Sequence, residues 1–207
     1  MKRKTTILLA DDHALLRMGL ASLIGYQTDM EVVGEAEDGQ KAAQLVRRVK
    51  PDVVIMDLMM PVMNGVEATR QILADSPGTK VVILTSFPES VDLARAVSFG
   101  AVAAAIKDTP NERLLAILRK VIAGQQVFPP EIRRQIEELK PFANLSDRQL
   151  ELLQLAARGF STDDIASYLN ISIDGVKKHF SSLFQKLGVA NRSEAVAITL
   201  QKHLLKM

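Results

Sequence analysis

Five polar residues stand at or just past the ends of short apolar runs. Asp11 and Asp12 follow TTILLA (5–10), Asp57 follows VVIM (53–56), Thr85 closes KVVILT (80–85) and Lys107 follows AAAI (103–106). A buried, unpaired carboxylate is strongly disfavoured, so Asp57, flanked by apolar residues on both sides, needs water or partners. Two adjacent carboxylates and a third from another strand end can hold one hard divalent cation through oxygen, with Mg2+ keeping several waters. A lysine and a threonine hydroxyl supply a point charge and a hydrogen-bond donor for the oxygens of a phosphoryl group. That set of parts describes phosphoryl transfer to Asp57, driven by positioning and charge neutralisation. Asp11 and Asp12 could also cap a helix beginning near His13, which reads as a solvated helix-start residue.

The elements that must position these residues are legible as alternating periodicities. The strand-like runs lie at 5–10, 31–36, 53–57, 80–85 and 103–107. Between them, apolar residues recur at helical spacing: Leu15, Leu16, Leu20, Leu23 and Ile24, then Ala42, Leu45, Val46 and Val49, then Val66, Thr69, Ile72 and Leu73. Leu93, Ala94 and Val97 continue the series, and Leu114, Leu115, Leu118, Val121 and Ile122 complete it. Five strands alternating with five helices imply an α/β domain, a parallel sheet covered on both faces. In such sheets ligands sit beyond the carboxyl ends of the strands, which brings all five polar residues to one edge.

Composition limits the alternatives. The 207 residues are 47% hydrophobic and 24% charged, an ordinary globular balance with room for one large or two small domains. There is no cysteine, which excludes disulfides and thiolate zinc sites, and three scattered histidines argue against a structural metal site. No apolar run reaches the length of a membrane span or signal-peptide core, so a soluble, cytoplasmic protein without membrane attachment is expected. The net charge is +2. Residues 1–124 and 125–143 are balanced, while residues 144–207 hold 8 basic and 6 acidic side chains, a weak pointer to a polyanionic partner there.

After Gly124 the pattern changes to GQQVFPPEIRRQIEELKPFANLS. Ile132, Ile136 and Leu139 share one side of a short charged helix that Pro141 is expected to end. Residues 125–143 read as an inter-domain linker or as an extra helix packed on the first domain. From 144 the chain reads as an all-α domain of four helices, near 147–158, 162–169, 174–187 and 192–204. Capping-box spacing at Ser146 with Gln149 and at Ser161 with Asp164 supports those starts. The tight NISID connection suggests helix-turn-helix. In the third helix Val176, Phe180, Leu183 and Leu187 should face a core with Ile165, Leu169 and Ile171. Lys177, Lys178, Ser181, Ser182 and Gln185 are then left on or beside an exposed face suited to phosphates and base edges.

Residues 1–124 resemble the receiver domain of bacterial response regulators, through ADD (10–12), DLMMPVMNG (57–65), LTS (84–86) and Lys107 in AAAIKD. The resemblance implies a flavodoxin-like (βα)5 fold in which Asp57 accepts phosphate from a sensor histidine kinase. It further implies that Asp12, Asp57 and the backbone carbonyl of Met59 hold Mg2+, Asp11 acting largely through water, and that Thr85 and Lys107 take the phosphoryl oxygens. The family usually has an aromatic residue three positions before the lysine, where this chain has Ala104.

Residues 144–207 resemble the LuxR-type helix-turn-helix output domain of the NarL/FixJ class, through LSDRQLELLQLAARGFSTDDIASYLNISIDGVKKHFSSLFQKLGVANRSEAV. The resemblance implies contacts to double-stranded DNA from Lys177, His179 and Lys186, with Lys178, Ser181, Ser182, Asn191 and Arg192 beside them. Gly175 stands where threonine is usual, Asp163 and Asp164 replace a lysine–glutamate pair, and Gln149 replaces a glutamate. Extra negative charge near DNA predicts weak binding by a monomer and a need for dimerisation. The expectation is a transcription regulator, not a stand-alone enzyme, that is phosphorylated at Asp57, dimerises and binds DNA. A regulator independent of phosphate, or scarcely binding DNA and acting through protein contacts, is the alternative.

Overall fold

The computed structural model describes residues 3–88 and 90–201, which divide into two compact units between residues 138 and 139. In the first unit, β1 (Thr5–Ala10), β2 (Met30–Ala36), β3 (Val53–Met56), β4 (Lys80–Thr85) and β5 (Ala103–Ile106) form one parallel sheet in the order β2-β1-β3-β4-β5. The helices α1 (Ala14–Gly25), α2 (Gly39–Val49), α3 (Gly65–Asp75), α4 (Val91–Ser98) and α5 (Asn111–Ile122) alternate with the strands.

Side chains that alternate along each strand build two cores. Leu8, Ala10, Val54, Met56, Val81, Ile83 and Ala104 join residues of α2, α3 and α4 on one face. Ile7, Leu9, Val53, Ile55, Val82, Leu84, Ala103 and Ala105 join residues of α1 and α5 on the other. Burial on both faces explains why the strands read as unbroken apolar runs and not as polar–apolar alternation. Strand order reverses direction from β1, which feeds β2 on one side and lies beside β3 on the other. The crevice beyond the ends of β1 and β3 is therefore the topological switch point of the sheet.

Beyond α5 the chain returns along the open edge of β5. Val127 donates its backbone N–H to Val102 and accepts that of Ala104, at 2.9 and 3.2 Å, so part of the edge is covered. Then α6 (Pro130–Ala143) begins, with Ile132 fully buried in the α2–α3–α4 core and Phe128 and Ile136 packed against it. Pro141 does not end this helix as expected; it lies inside, and α6 runs on to Ala143. A proline forfeits one helical hydrogen bond, but Phe142 and Ala143 after it are 2% and 6% exposed, and that burial holds the final turn.

The second unit contains α7 (Asp147–Ala157), α8 (Thr162–Leu169), α9 (Ile173–Leu187) and α10 (Arg192–Gln201). The expected residues 202–204 of the last helix lie outside the described residues. Both capping boxes form, Ser146 with Gln149 and Ser161 with Asp164. Asn170, in the left-handed region at φ 51°, ends α8 and Ser172 caps α9, which makes the tight turn of the helix pair. Val176, Phe180, Leu183 and Leu187 are the buried stripe of α9, and Ile165 and Leu169 belong to the same small core as Val176 and Phe180.

Truncating Ile132 removes a filled core position. Ile132→Ala should destabilise the first unit by about 2–5 kcal/mol in chemical denaturation, whereas loss of a solvated linker contact would change it by less than about 0.5 kcal/mol.

Candidate functional site

The strand ends converge as their types require. Asp11 N–H donates to Ala36 O at 3.1 Å and Asp57 N–H to Ala10 O at 2.8 Å, so both acids are anchored by the last rungs of the ladder. Both are 3% exposed. Lys107 Nζ lies 2.8 Å from Asp57 Oδ2 and 2.8 Å from Asp11 Oδ2. The ammonium donates a hydrogen bond to Asp57 and meets Asp11 Oδ2 at the same distance as a buried ion pair. Thr85, fully buried, accepts a hydrogen bond from Phe87 N–H through Oγ1 at 3.0 Å, while its carbonyl accepts Lys107 N–H at 2.9 Å.

Burial pushes the Asp57 carboxyl above its ordinary value, and the Lys107 ammonium only partly offsets this. Burial pulls Lys107 down, but its contacts to Asp11 and Asp57 outweigh that and hold it above the usual lysine range. Lys107 meets two of the three carboxylates, Asp11 and Asp57, while Asp12 lies beside His13, so the ammonium does not balance the charge of the cluster. Ligand atoms of Asp11, Asp12, His13 and Asp57 lie within 4.8 Å of one another. An oxygen-rich cluster of that size and charge deficit fits a divalent cation. Met59, 44% exposed, follows Asp57 by two residues in the loop that also carries Val62. Val62 sits at φ 65° with Met63 N–H donating to Pro61 O at 2.7 Å, a strained turn for a β-branched residue beside the acids.

Three features were not legible in the sequence. His13 is exposed at the start of α1 as expected, yet its Nδ1 lies 2.8 Å from Asp12 Oδ1 and 3.2 Å from Asp11 Oδ1. Neither aspartate side chain caps the helix in the expected way; His13 is the N-cap and makes no side-chain cap bond, while Asp11 Oδ1 accepts His13 N–H at 2.8 Å. Arg17 holds the Asp11 carbonyl through Nη1 at 2.6 Å, and its spacing of one helical turn from His13 was the available signal. Gly65 starts α3 against the phosphoacceptor candidate itself, where an added Cβ would lie 1.9 Å from Asp57 O.

On the second unit, Lys177, Lys178, Ser181 and Ser182 are exposed on α9 and His179 is half-buried. Lys177 Nζ is 3.9 Å from Asp174 Oδ1, a loose and solvated pair. Other candidates are engaged inside the unit. Lys186 Nζ donates to Asn144 O and Gln149 Oε1, both at 2.9 Å, and Gln149 Nε2 donates to Ser182 Oγ at 3.3 Å. Asn191 caps α10 by accepting Glu194 N–H at 2.9 Å. Arg192 donates to Phe160 O and lies over the Phe180 ring, 5.5 Å from its centroid. Gly175 N–H donates to Ser172 Oγ at 3.0 Å in the first turn of α9.

Residues 7–119 match the family described as response regulator receiver domain, and residues 143–199 that described as bacterial regulatory proteins, luxR family. The response regulator protein VraR of Staphylococcus aureus (strain Mu3 / ATCC 700698) is 38% identical over 205 residues, covering 97% of this chain and 98% of the relative. A crystal structure of the response regulator ChrA of a heme-sensing two-component system is 34% identical, with a TM-score of 0.56 over 98% of this chain and 99% of that one. A structure of two RcsB dimers bound to two parallel DNAs is 26% identical, with a TM-score of 0.64 over 94% and 97%.

Glycine substitutions separate steric demand from helix propensity. Gly65→Ala should displace the Asp57 backbone and lower stability by about 1–3 kcal/mol or more. Gly19→Ala, within α1 where an added Cβ meets nothing, should be neutral or stabilising by up to about 1 kcal/mol, both read by denaturant titration.

Proposed function

Because the chain belongs to the transcriptional response regulators that join a receiver to a LuxR-type DNA-binding domain, we propose that phosphorylation of Asp57 by a sensor histidine kinase controls its dimerisation and DNA binding. The observation that carries this reading is the shared lysine: Lys107 Nζ at 2.8 Å from two buried carboxylates, in a cluster whose charge it only partly balances. An Asp57 oxygen forms the new P–O bond as the P–N bond of the kinase phosphohistidine breaks and its electron pair returns to the imidazole. Lys107 then turns its charge to the phosphoryl oxygens, and the Thr85 hydroxyl becomes their hydrogen-bond donor. Asp12 and Asp57 with the Met59 carbonyl would hold Mg2+, Asp11 acting through water, and the ion would supply the positive charge that the pocket lacks. In this reading the chain is a transcription regulator whose catalytic work is self-phosphotransfer and hydrolysis of its own acyl phosphate at Asp57.

The receiver occupies residues 1–124 and the DNA-binding domain 144–207, with 125–143 joining them. Dimer formation brings two recognition helices to half-sites about one helical turn apart on double-stranded DNA. Lys177, Lys178, His179 and Ser181 on α9 meet phosphates and base edges, with Ser182, Lys186, Asn191 and Arg192 at the margin of that surface. The dimeric, DNA-bound state of RcsB supports this arrangement. Leu15 and Met18, three residues apart on α1 and 84% and 64% exposed, offer apolar surface for a second copy to bury.

A phosphate-independent regulator working through protein contacts is the second reading. It draws on Ala104, which is fully buried and has no ring to change rotamer. Treatment with a small-molecule acyl phosphate and Mg2+ decides between the two. Asp57→Asn should abolish donor-dependent dimerisation on sizing, and Met18→Glu should hold the phosphorylated protein monomeric. Lys177→Ala should leave dimerisation intact, weaken DNA binding and reduce its salt dependence by about one charge. Unchanged assembly and DNA affinity with and without donor would favour the second reading.

A further inference from the structure

We propose that Asn64 is a modification site: its side-chain amide is lost when the strained turn between β3 and α3 opens, leaving an isoaspartate that cannot close the turn again. The inference requires neither the phosphate nor the DNA of the proposed function.

Asn64 is the only one of the five asparagines in the sequence that precedes a glycine. Glycine has no side chain to shield its amide nitrogen, so that nitrogen can attack the neighbouring side-chain carbonyl. The bond from Gly65 N to Asn64 Cγ forms as the Cγ–Nδ2 bond breaks, and ammonia leaves with the amide proton. Water then opens the five-membered imide. Attack at Cγ gives aspartate. Attack at the main-chain carbonyl gives isoaspartate, whose backbone runs through the side chain and is one carbon longer.

The closed turn blocks the first step. Gly65 N–H donates to Leu58 O at 2.9 Å, and Asn64 Oδ1 accepts Glu67 N–H at 2.9 Å as the cap of α3. Asn64 lies at ψ 165°, far from the eclipsed arrangement of its Cβ and Gly65 N that ring closure needs. Met63 O and Asn64 O accept the N–H groups of Gly39 and Ala68, both at 3.0 Å, and hold the turn from either side. Val62 works against these bonds. It sits at φ 65°, a strained region for a β-branched residue, and its largely exposed side chain has no packing to offset the strain. Opening relieves Val62 and at the same time frees both the Gly65 nitrogen and the Asn64 amide. The rate of amide loss therefore follows the population of the open turn.

The two products differ in whether the turn can reclose. Gly65 is seated with no room to spare, since an added Cβ would lie 1.9 Å from Asp57 O and 2.9 Å from Leu58 Cα. An extra backbone carbon one residue earlier moves Gly65 out of that seat. Aspartate keeps the backbone length and caps a helix as well as asparagine does.

The test is incubation of the full-length protein in warm, mildly alkaline buffer, folded or in denaturant, followed by peptide mass spectrometry that resolves aspartate from isoaspartate. Asn64 should be the asparagine converted fastest in the folded protein, yet at least about tenfold more slowly than in the unfolded chain. Val62→Gly and Val62→Asn both accept the left-handed region, and the second keeps a side chain and so controls for added chain flexibility. Each should slow conversion in the folded protein at least about threefold and leave the unfolded rate unchanged. The separated isoaspartate form should melt below the unaltered protein, and Asn64→Asp should melt with it. Equal rates in the Val62 variants, equal rates folded and unfolded, or no conversion in the folded protein while the unfolded chain is converted would overturn the proposal. An isoaspartate form that melts like the unaltered protein would overturn its claim about reclosure.

Discussion

One ammonium group between two buried carboxylates is the constraint on which the first unit depends. Lys107 stands 2.8 Å from both Asp11 and Asp57, and neither acid has water enough to hold its charge alone. The pair is still over-supplied with negative charge once Asp12 joins it, which is why the pocket suits a cation. Burial pushes the Asp57 carboxyl above its ordinary value, so the group proposed to receive phosphate is also the one whose charge the fold disfavours most. Gly65 lets α3 close against the Asp57 carbonyl, and the ladder bonds at Ala10 and Ala36 fix the acids from behind.

Most of that architecture was legible from residue order. Parallel strands are buried on both faces and leave continuous β-branched runs, and the polar residues that follow them must emerge at one edge of the sheet. Runs such as KVVILT marked β4 from Lys80 to Thr85 for that reason. The side-chain partners were less legible, because periodicity reports which face a residue occupies and not what it touches. His13 looked like a solvated helix start and proved to lie against two aspartates. Pro141 looked like a stop, but the burial of Phe142 and Ala143 carries α6 past it. The steric demand at Gly65 depends on a close approach between segments that no local pattern encodes.

The second unit shows the same division. Two of its helix starts were announced by Ser146 and Ser161, each accepting a backbone N–H three residues on, and the structure adds Ser172, which caps α9 in the same way. The buried stripe of α9 followed from spacing alone. What spacing did not reveal is that Lys186 and Arg192 are held by carbonyls of their own domain, so charge that looks available for DNA also fastens the helix that would read it. Gln149 accepts from Lys186 as a neutral amide, so this hydrogen bond holds the lysine without neutralising its charge.

Mapping the acyl phosphate tests the central claim most directly. The protein is incubated with a small-molecule acyl phosphate and Mg2+, the product is reduced with borohydride, and the reduced residue is located by peptide mass spectrometry. A single acyl phosphate on Asp57, absent without the divalent ion, is the predicted result. A modification on another carboxylate, or none at all in a folded protein that binds the ion, would contradict the account.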